Sequence, residues 1–141
     1  MFKDTTIFYK VIAKLNPSNR AAAPKYYASV NNVGKRNNRF IAKQIAERSS
    51  LNQMDVLSVI EGFLQIVPET LADGYKVDLG EFGTFGVTAK SKGAEKEEEF
   101  NATLIESTKV NFRPGKLFKN VLKNADFEKI HIEQPVETTG E

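Results

Sequence analysis

The chain has 141 residues, 40% hydrophobic and 27% charged, with a formal net charge of +2, which is the composition of one globular domain rather than of a disordered or fibrous protein. The absence of cysteine excludes disulfides, thiol nucleophiles and thiolate metal sites, and the single histidine, His131, makes histidine-based triads and multi-histidine metal sites hard to build. No apolar run approaches the roughly 20 residues of a membrane span, and the first residues lack a signal-peptide core. We therefore expect a cytoplasmic protein with no membrane contact, no cofactor, no small-molecule substrate and no enzymatic activity.

Charge is distributed unevenly along the sequence. Residues 1–38 have seven basic and one acidic side chain, and residues 109–130 have six basic and two acidic, whereas residues 94–108 have one basic and five acidic. Two basic blocks on a nearly neutral chain are typical of a protein that binds a polyanion such as nucleic acid. Charge alone leaves open the alternative that these lysines only solvate the surface.

The first predicted elements are two strands. β-Branched and aromatic side chains are concentrated in residues 5–15, and the odd-numbered positions form a mostly apolar face. Turn-forming residues follow at 16–19, and residues 25–30 form a second extended run. We therefore predict that residues 1–38 form an N-terminal β-hairpin extension with a long loop.

Two helices are predicted next. The spacing of apolar residues predicts a helix over residues 39–49, with Asn38 as its N-cap. A longer helix is predicted over residues 53–72, opened by the capping pair Asn52 and Asp55 and ended by the Asp-Gly sequence that follows.

The longer helix has apolar residues on more than one of its faces. In a chain of this size, such a helix predicts a subunit interface, and we expect a homodimer rather than a folded monomer. Pro68 lies inside the helix and is expected to kink it, because proline lacks the backbone N–H and clashes with the preceding turn.

Short strands, an arm and a last helix complete the predicted order. The strands are predicted at residues 75–79, 84–89, 109–112 and 127–132, and the helix at residues 116–124. The polar, acidic segment 91–101 is predicted to be a loop or a projecting ribbon. Residues 131–141 are predicted to be a disordered acidic tail.

Two motifs in this order of elements carry a family resemblance. They are LGEFGTF at residues 79–85 and FRPGK at residues 112–116. Together with the two helices, they resemble the HU/IHF family of bacterial DNA-architectural proteins over about residues 39–124. The hairpin in residues 1–38 lies outside the usual family pattern and is similar to the extended N-terminus of a divergent HU-like branch.

The resemblance implies an α+β, HU/IHF-like fold, in which an intertwined helical dimer body carries a β-sheet saddle and projecting β-arms. Residues 39–130 would form this HU-like DNA-binding domain. The implied function is low-specificity binding of double-stranded DNA in a histone-like, nucleoid-associated role. The alternative is an HU-derived protein-interaction or scaffold module that has lost DNA binding.

Basic side chains are the predicted phosphate contacts, whereas Phe82 and Phe85 are predicted to pack in the core. The DNA-binding candidates are Lys90, Lys92, Lys109, Arg113, Lys116, Lys119 and Lys123, with Lys35 and Arg36 as possible extra contacts. The Pro-Gly-Lys sequence is expected to leave backbone N–H groups at a helix N-terminus, where they can bind a phosphate. A solvated helix face is the alternative for these lysines.

The arm departs from the pattern of the family. The resemblance implies a proline at the arm tip that wedges between base pairs, but residues 86–111 contain no proline and have four Lys and five Glu. Four of the glutamates, Glu95, Glu97, Glu98 and Glu99, lie near the expected tip. Because carboxylates and phosphates repel each other, this arm is not expected to grip DNA in the way the family does.

Overall fold

The structure, a computed structural model, describes residues 5–130. His131 and the predicted acidic tail lie outside the described residues. Contacts divide the chain into two compact units, which are residues 36–122 and, together, the described residues before 36 and after 122.

The described residues contain three helices and two three-stranded sheets, which confirms the predicted α+β class. In chain order the elements are β1 (Thr6–Lys14), β2 (Lys25–Val30), α1 (Asn38–Glu47), α2 (Gln53–Ala72), β3 (Val77–Asp78), β4 (Gly83–Ser91), β5 (Ile105–Pro114), α3 (Lys116–Lys123) and β6 (Asp126–Lys129).

The smaller unit is a sheet with the strand order β2-β1-β6. The first two strands pair antiparallel as the predicted hairpin, and β6 pairs parallel with β1. Hydrogen bonds at both ends hold β6 in place, from the amide of Asp126 to the carbonyl of Thr5 (2.8 Å) and from the amide of Ile130 to the carbonyl of Tyr9 (2.9 Å). The predicted HU-like domain includes β6, whereas this pairing joins β6 to the N-terminal hairpin.

The first helix begins one residue earlier than predicted. Asn37, not Asn38, is the N-cap, because its side-chain oxygen accepts a hydrogen bond from the amide of Phe40 at 3.1 Å. Asn38 is already part of the helix. Two adjacent asparagines offer the same capping chemistry, so the sequence alone does not distinguish between them.

The second helix has the predicted bounds, and the capping pair is present. The side-chain oxygen of Asn52 accepts from the amide of Asp55 at 2.9 Å, and its Nδ2 donates to the Asp55 carboxylate at 2.7 Å. Gly74 ends the helix with a φ of 91°, a conformation that favours glycine. The helix continues through Pro68 to Ala72.

Few apolar side chains of the larger unit are buried. Among the described residues, the buried ones are Ala42, Val56 and Leu71. The second helix instead exposes a series of large apolar side chains. They include Met54, Val59, Phe63, Leu64 and Ile66. The helices of this unit therefore leave much of the apolar surface of α2 uncovered.

The second sheet, with the strand order β3-β4-β5, also belongs to this unit. Strand β3 is shorter than predicted, whereas β5 is longer, because its residues pair with β4 from Pro114 opposite Gly83 as far as Ile105 opposite Ser91. Beyond a register shift at Lys90/Ser91, the polar segment 92–104 links the two strands. The amide of Lys92 donates to the carbonyl of Leu104 at 2.9 Å and closes the base of this segment.

Candidate nucleic-acid interface

The two sequence motifs lie against each other. The amide of Gly115 donates a hydrogen bond to the carbonyl of Phe82 at 2.9 Å, and Gly83 pairs with Pro114 across the strands. A Cβ on Gly115 would overlap the carbonyl oxygen of Glu81. Gly83 has a φ of 145°, and a Cβ there would lie 2.7 Å from the Phe112 ring. Both positions therefore require glycine for close packing.

Four phenylalanines pack around this contact. The ring of Phe112 lies 4.6 Å from that of Phe85 and 5.6 Å from that of Phe82, and Phe82 lies 4.9 Å from Phe118 of α3, between centroids. These distances are typical of favourable aromatic pairs. Phe82 and Phe85 pack against other rings as predicted, but Phe82 is 41% exposed and does not lie in a buried core. These ring contacts link α3 to β4 and β5.

The strand register assigns each side chain to one of two faces, because residues directly opposite in an antiparallel pair point to the same side. Starting from the pair of Phe85 and Phe112, one face is mainly apolar. It consists of Phe85, Val87, Ala89, Thr108, Val110 and Phe112. The other face is polar except for Gly86. It consists of Thr84, Gly86, Thr88, Lys90, Ser107, Lys109, Asn111 and Arg113.

The apolar face lies toward the second helix. A groove of about 550 Å³ is lined by Phe85, Val87 and Val110 from the sheet and by apolar side chains of α2 such as Phe63 and Leu64. The polar face therefore points away from the helix. We call this polar face, together with Lys76 and Asp78 on its β3 edge, the basic sheet face.

The basic sheet face surrounds a shallow cleft of about 660 Å³, whose lining includes Lys76 and Arg113. The Nδ2 of Asn111 donates to the hydroxyl of Thr88 at 3.0 Å, so these neutral groups orient each other. One carboxylate, Asp78, lies on the same face, where it accepts a hydrogen bond from the amide of Gly80 at 2.9 Å. The cleft thus combines exposed cations with short hydrogen-bonding side chains.

Three of the candidate contacts predicted from the sequence share the basic sheet face. They are Lys90, Lys109 and Arg113, and all three are exposed. Lys76 was not among the candidates, although alternation along residues 75–79 puts its side chain on the face of the strand away from Tyr75 and Val77. Its side chain packs near Gly86, where a Cβ would meet the Lys76 Cγ at 4.0 Å.

The remaining lysine candidates are close in sequence to the strands that form this face. Lys92 follows β4, and the lysines of α3, at positions 116, 119 and 123, have the spacing of a single helix face. The expectation that the Pro-Gly-Lys sequence leaves its amides available is corrected in part. The amide of Gly115 is already bonded to Phe82, and proline has none, so the lysine side chains carry the charge of this segment.

The two extra candidates precede the first helix. The guanidinium carbon of Arg36 lies 4.4 Å from the centroid of the Phe40 ring, so this cation packs on an aromatic face. Lys35 is exposed and belongs to the other compact unit. Within its own unit, Arg36 therefore lies against α1 and not on the basic sheet face.

Residues 5–130 contain neither a cluster of metal-ligating side chains nor a helix that could span a membrane. No group of three or more His, Asp or Glu side chains in this part of the chain is arranged to hold a metal ion. Within the same residues, no helix is both long and apolar enough to cross a membrane.

Comparisons with known proteins converge on one family. Residues 6–129 match the HU-HIG family model, described as an HU domain fused to a wHTH, Ig or glycine-rich motif. The chain is 33% identical over 89 residues to the DNA-binding protein HU of Thermus thermophilus, which covers 59% of this chain and 88% of that protein. It is 28% identical over 86 residues to the integration host factor subunit alpha of Marinomonas sp., which covers 60% and 88%.

A solved structure from Bacteroides vulgatus shares the fold. It superposes with a TM-score of 0.65 at 14% sequence identity, and the match covers 96% of this chain and 52% of that one. At this identity the likeness concerns the fold alone.

Proposed function

The chain belongs to the HU/IHF family, because residues 6–129 match the HU-HIG family model. We propose that it binds double-stranded DNA with low sequence specificity and that the basic sheet face makes the contacts. The observation that carries the proposal is the register of β4 and β5, which gathers Lys90, Lys109 and Arg113 on one exposed face. Lys76 extends this face from the neighbouring strand. Clustered cations on one face are the electrostatic footprint of a polyanion-binding surface.

Low specificity follows from the chemistry of this face. Its lysines, threonines, serine and asparagine are the residue types that bind phosphate and sugar oxygens, and such contacts position a protein on a duplex without carrying sequence information. The proposed contact surface is a β-sheet face and not a recognition helix, the element with which many proteins read base edges in the major groove. Affinity is therefore dominated by the phosphates and by the release of counterions.

The dimer belongs to the same proposal. Val59 is 68% exposed and Ile66 59% exposed on α2, and Phe63 and Leu64 line the open groove beside the sheet. Contiguous apolar surface of this kind marks a protein–protein interface. A second copy that covers this surface with its own α2 would give a homodimer with two basic sheet faces.

The linker between β4 and β5, residues 92–104, is the arm of the sequence analysis, and we propose that it does not grip DNA. It carries Glu97, Glu98 and Glu99 in one 3₁₀ turn, and none of its residues is proline. Without a proline wedge and with carboxylates at this position, we propose that the duplex is held along the sheet and is not intercalated by the arm. The role is architectural rather than enzymatic, and its place is the nucleoid in the cytoplasm.

The experiment compares two double variants of the full chain by fluorescence anisotropy of a labelled random-sequence duplex. Lys109→Gln/Arg113→Gln removes two cations from the basic sheet face, and Lys43→Gln/Lys129→Gln removes two exposed lysines elsewhere. We expect the first to weaken binding roughly tenfold or more at about 0.1 M salt, since each lost phosphate contact removes a counterion-release contribution, and the second to have little effect. Equal losses in both variants would contradict the assignment to this face.

A further inference from the structure

All charged side chains of the N-terminal hairpin, residues 5–35, are basic. Residues 5–35 contain no aspartate or glutamate, and they contain five basic residues. These are Lys10, Lys14, Arg20, Lys25 and Lys35. The only carboxylates that the described sheet adds are Asp126 and Glu128 of β6, which pair with Thr6 and Phe8 at the end of β1 away from the loop. The excess of positive charge therefore lies toward the loop end of the hairpin.

The fold concentrates this charge at one end of the hairpin. Lys14 is paired directly opposite Lys25, so the two side chains project from the same face. Lys10 lies on that face as well, because it is two residues along β1 from Ile12, which pairs with Tyr27 on the same face. Like charges directly opposite each other destabilise a strand pair, and an anion bound between them would remove this repulsion.

An aromatic ring lies between these cations. The Nζ of Lys14 is 5.5 Å from the centroid of Tyr27, which is within the range of a cation–π contact. Tyr27 is 48% exposed, so its hydroxyl is accessible as a hydrogen-bond donor. The ring holds the ammonium of Lys14 over the face instead of leaving it free in solvent.

The loop beyond the pair completes a cleft of about 450 Å³, lined by Lys14, Lys25 and Tyr27 and by loop residues such as Asn16. Side-chain hydrogen bonds shape this loop. The Asn16 side chain accepts from the amide of Ser18 at 3.0 Å, and that of Asn19 accepts from the amide of Ala21 at 3.2 Å. Because such asparagine turns fix the local backbone, the cleft has a defined wall next to the two lysines.

We propose that this cleft, the hairpin-end site, is a second binding site for the phosphate backbone of duplex DNA, independent of the basic sheet face. The identification of the ligand as DNA rests on the proposed function, whereas the site itself rests on the hairpin alone. Both sites act on the same polymer, and linking two sites in one chain raises the affinity for a long duplex when both are engaged.

Duplex DNA fits the charge pattern better than an acidic protein segment. Lys10 and Lys14 are four residues apart along β1, which is roughly 13 Å, and a duplex presents about one phosphate charge per 1.7 Å of its axis. At this spacing Lys14 and Lys25, which line the cleft, and Lys10 along β1 can each be matched by a phosphate. The acidic turn Glu97–Glu99 of a second copy spans only three residues, so it would leave part of this face unpaired.

The test uses the full chain and two independent readouts. Lys14→Gln/Lys25→Gln is compared with Lys43→Gln/Lys129→Gln, in which Lys129 belongs to the same sheet but pairs with Tyr9, on the face opposite to Lys10 and Lys14. Binding of the random-sequence duplex is measured over a range of salt concentrations. We expect the hairpin-end variant to reduce the slope of log K against log salt by about 1.8, the value for two phosphates, and the control to retain the slope of the unmodified protein.

The second readout uses a single fluorescent reporter. The chain contains no tryptophan, so Tyr27→Trp places a single, selectively excited tryptophan at the hairpin-end site. Tyr26→Trp is the control, because Tyr26 pairs with Ala13 and projects from the opposite face of the same strand. We expect DNA to change the emission of the first reporter and not of the second. An unchanged Tyr27→Trp emission, in a sample whose anisotropy shows bound duplex, would overturn the proposal.

The outcomes separate the two proposals. If the Lys14→Gln/Lys25→Gln variant binds like its control while Lys109→Gln/Arg113→Gln is weakened, the hairpin-end site is wrong and the proposed function stands. The reverse pattern supports the hairpin-end site and overturns the assignment to the basic sheet face. If the unmodified chain does not bind the duplex even at low salt, both proposals fail. If the hairpin-end variant reduces only the self-association of the protein, the occupant is an acidic segment of a second copy, and the DNA site is overturned.

Discussion

The amide nitrogen of Gly115 lies 2.9 Å from the carbonyl oxygen of Phe82 and donates a hydrogen bond to it. This bond joins the two sequence motifs by which the family is recognised. It fixes the start of α3 against the turn before β4, with Phe82 packed between Phe112 and Phe118. The packing of the two motifs therefore holds α3 against the sheet, and the cations around them are the proposed DNA contacts.

The close contact between the two motifs predicts a large loss of stability when Gly115 is replaced by alanine. A Cβ would overlap the carbonyl oxygen of Glu81, and steric strain in a packed site costs roughly 1–3 kcal/mol or more. We expect the free energy of unfolding in urea to fall by about that amount. Gly93→Ala is the matched control, because a Cβ there meets no atom within 4 Å. Equal stability of the two variants would contradict the close approach of the motifs.

The cap of the first helix predicts a difference between two adjacent asparagines. Asn37→Ala removes the side chain that accepts from the amide of Phe40, and losing an N-cap costs about 1 kcal/mol. Asn38 lies inside the helix, so Asn38→Ala should be neutral or slightly stabilising. Thermal unfolding of both variants measures the difference. A larger loss for Asn38→Ala would restore the boundary predicted from the sequence.

The exposed apolar surface of α2 predicts that a charge at Ile66 disrupts the proposed dimer. Ile66 is 59% exposed in the single chain, and a carboxylate buried in an interface without a partner is strongly unfavourable. We expect Ile66→Glu to shift the sedimentation velocity of the protein from dimer to monomer or to unfolded chain. Gln65→Glu, which changes an exposed polar neighbour, should leave the dimer intact. A folded monomer of the unmodified chain at micromolar concentration would contradict the proposed assembly.

The acidic turn in the linker predicts a gain of affinity when its charge is removed. In Glu97→Gln/Glu98→Gln/Glu99→Gln, three carboxylates that repel phosphates become neutral, so we expect tighter binding of the duplex at low salt. The gain should shrink at high salt, because exposed charges are screened beyond about 10 Å at 0.1 M. Glu47→Gln/Glu61→Gln/Glu69→Gln is a matched control on the helices. Weaker binding by the linker variant would show that the arm grips the duplex.

Local chemistry made much of the fold predictable. The bounds of α2, the capping pair Asn52 and Asp55, and strand β2 at residues 25–30 follow from apolar spacing, side-chain caps and turn residues. The N-cap of α1 was misplaced by one residue because Asn37 and Asn38 are chemically equivalent. The full length of β5 was missed because pairing with β4 extends it through a polar stretch that has little strand signal of its own.

The candidate site was only partly predictable for a similar reason. Charge and the family resemblance identified Lys90, Lys109 and Arg113, but their common face follows from the cross-strand register, which local sequence does not specify. Lys76 immediately precedes β3, and the pairing of β3 with β4 brings it to the same cleft as Arg113. The pairing of β6 with β1 is a contact between distant parts of the chain, and no local pattern indicates it.

The salt dependence of duplex binding by the unmodified chain tests the central claim most directly. Anisotropy of two labelled duplexes of unrelated sequence is measured from low to moderate salt. Binding through the phosphates predicts tight binding at low salt, the same affinity for both sequences, and a steep negative slope of log K against log salt, with about −0.9 for each phosphate contacted. A slope near zero, a strong preference for one duplex, or no binding at low salt would contradict it.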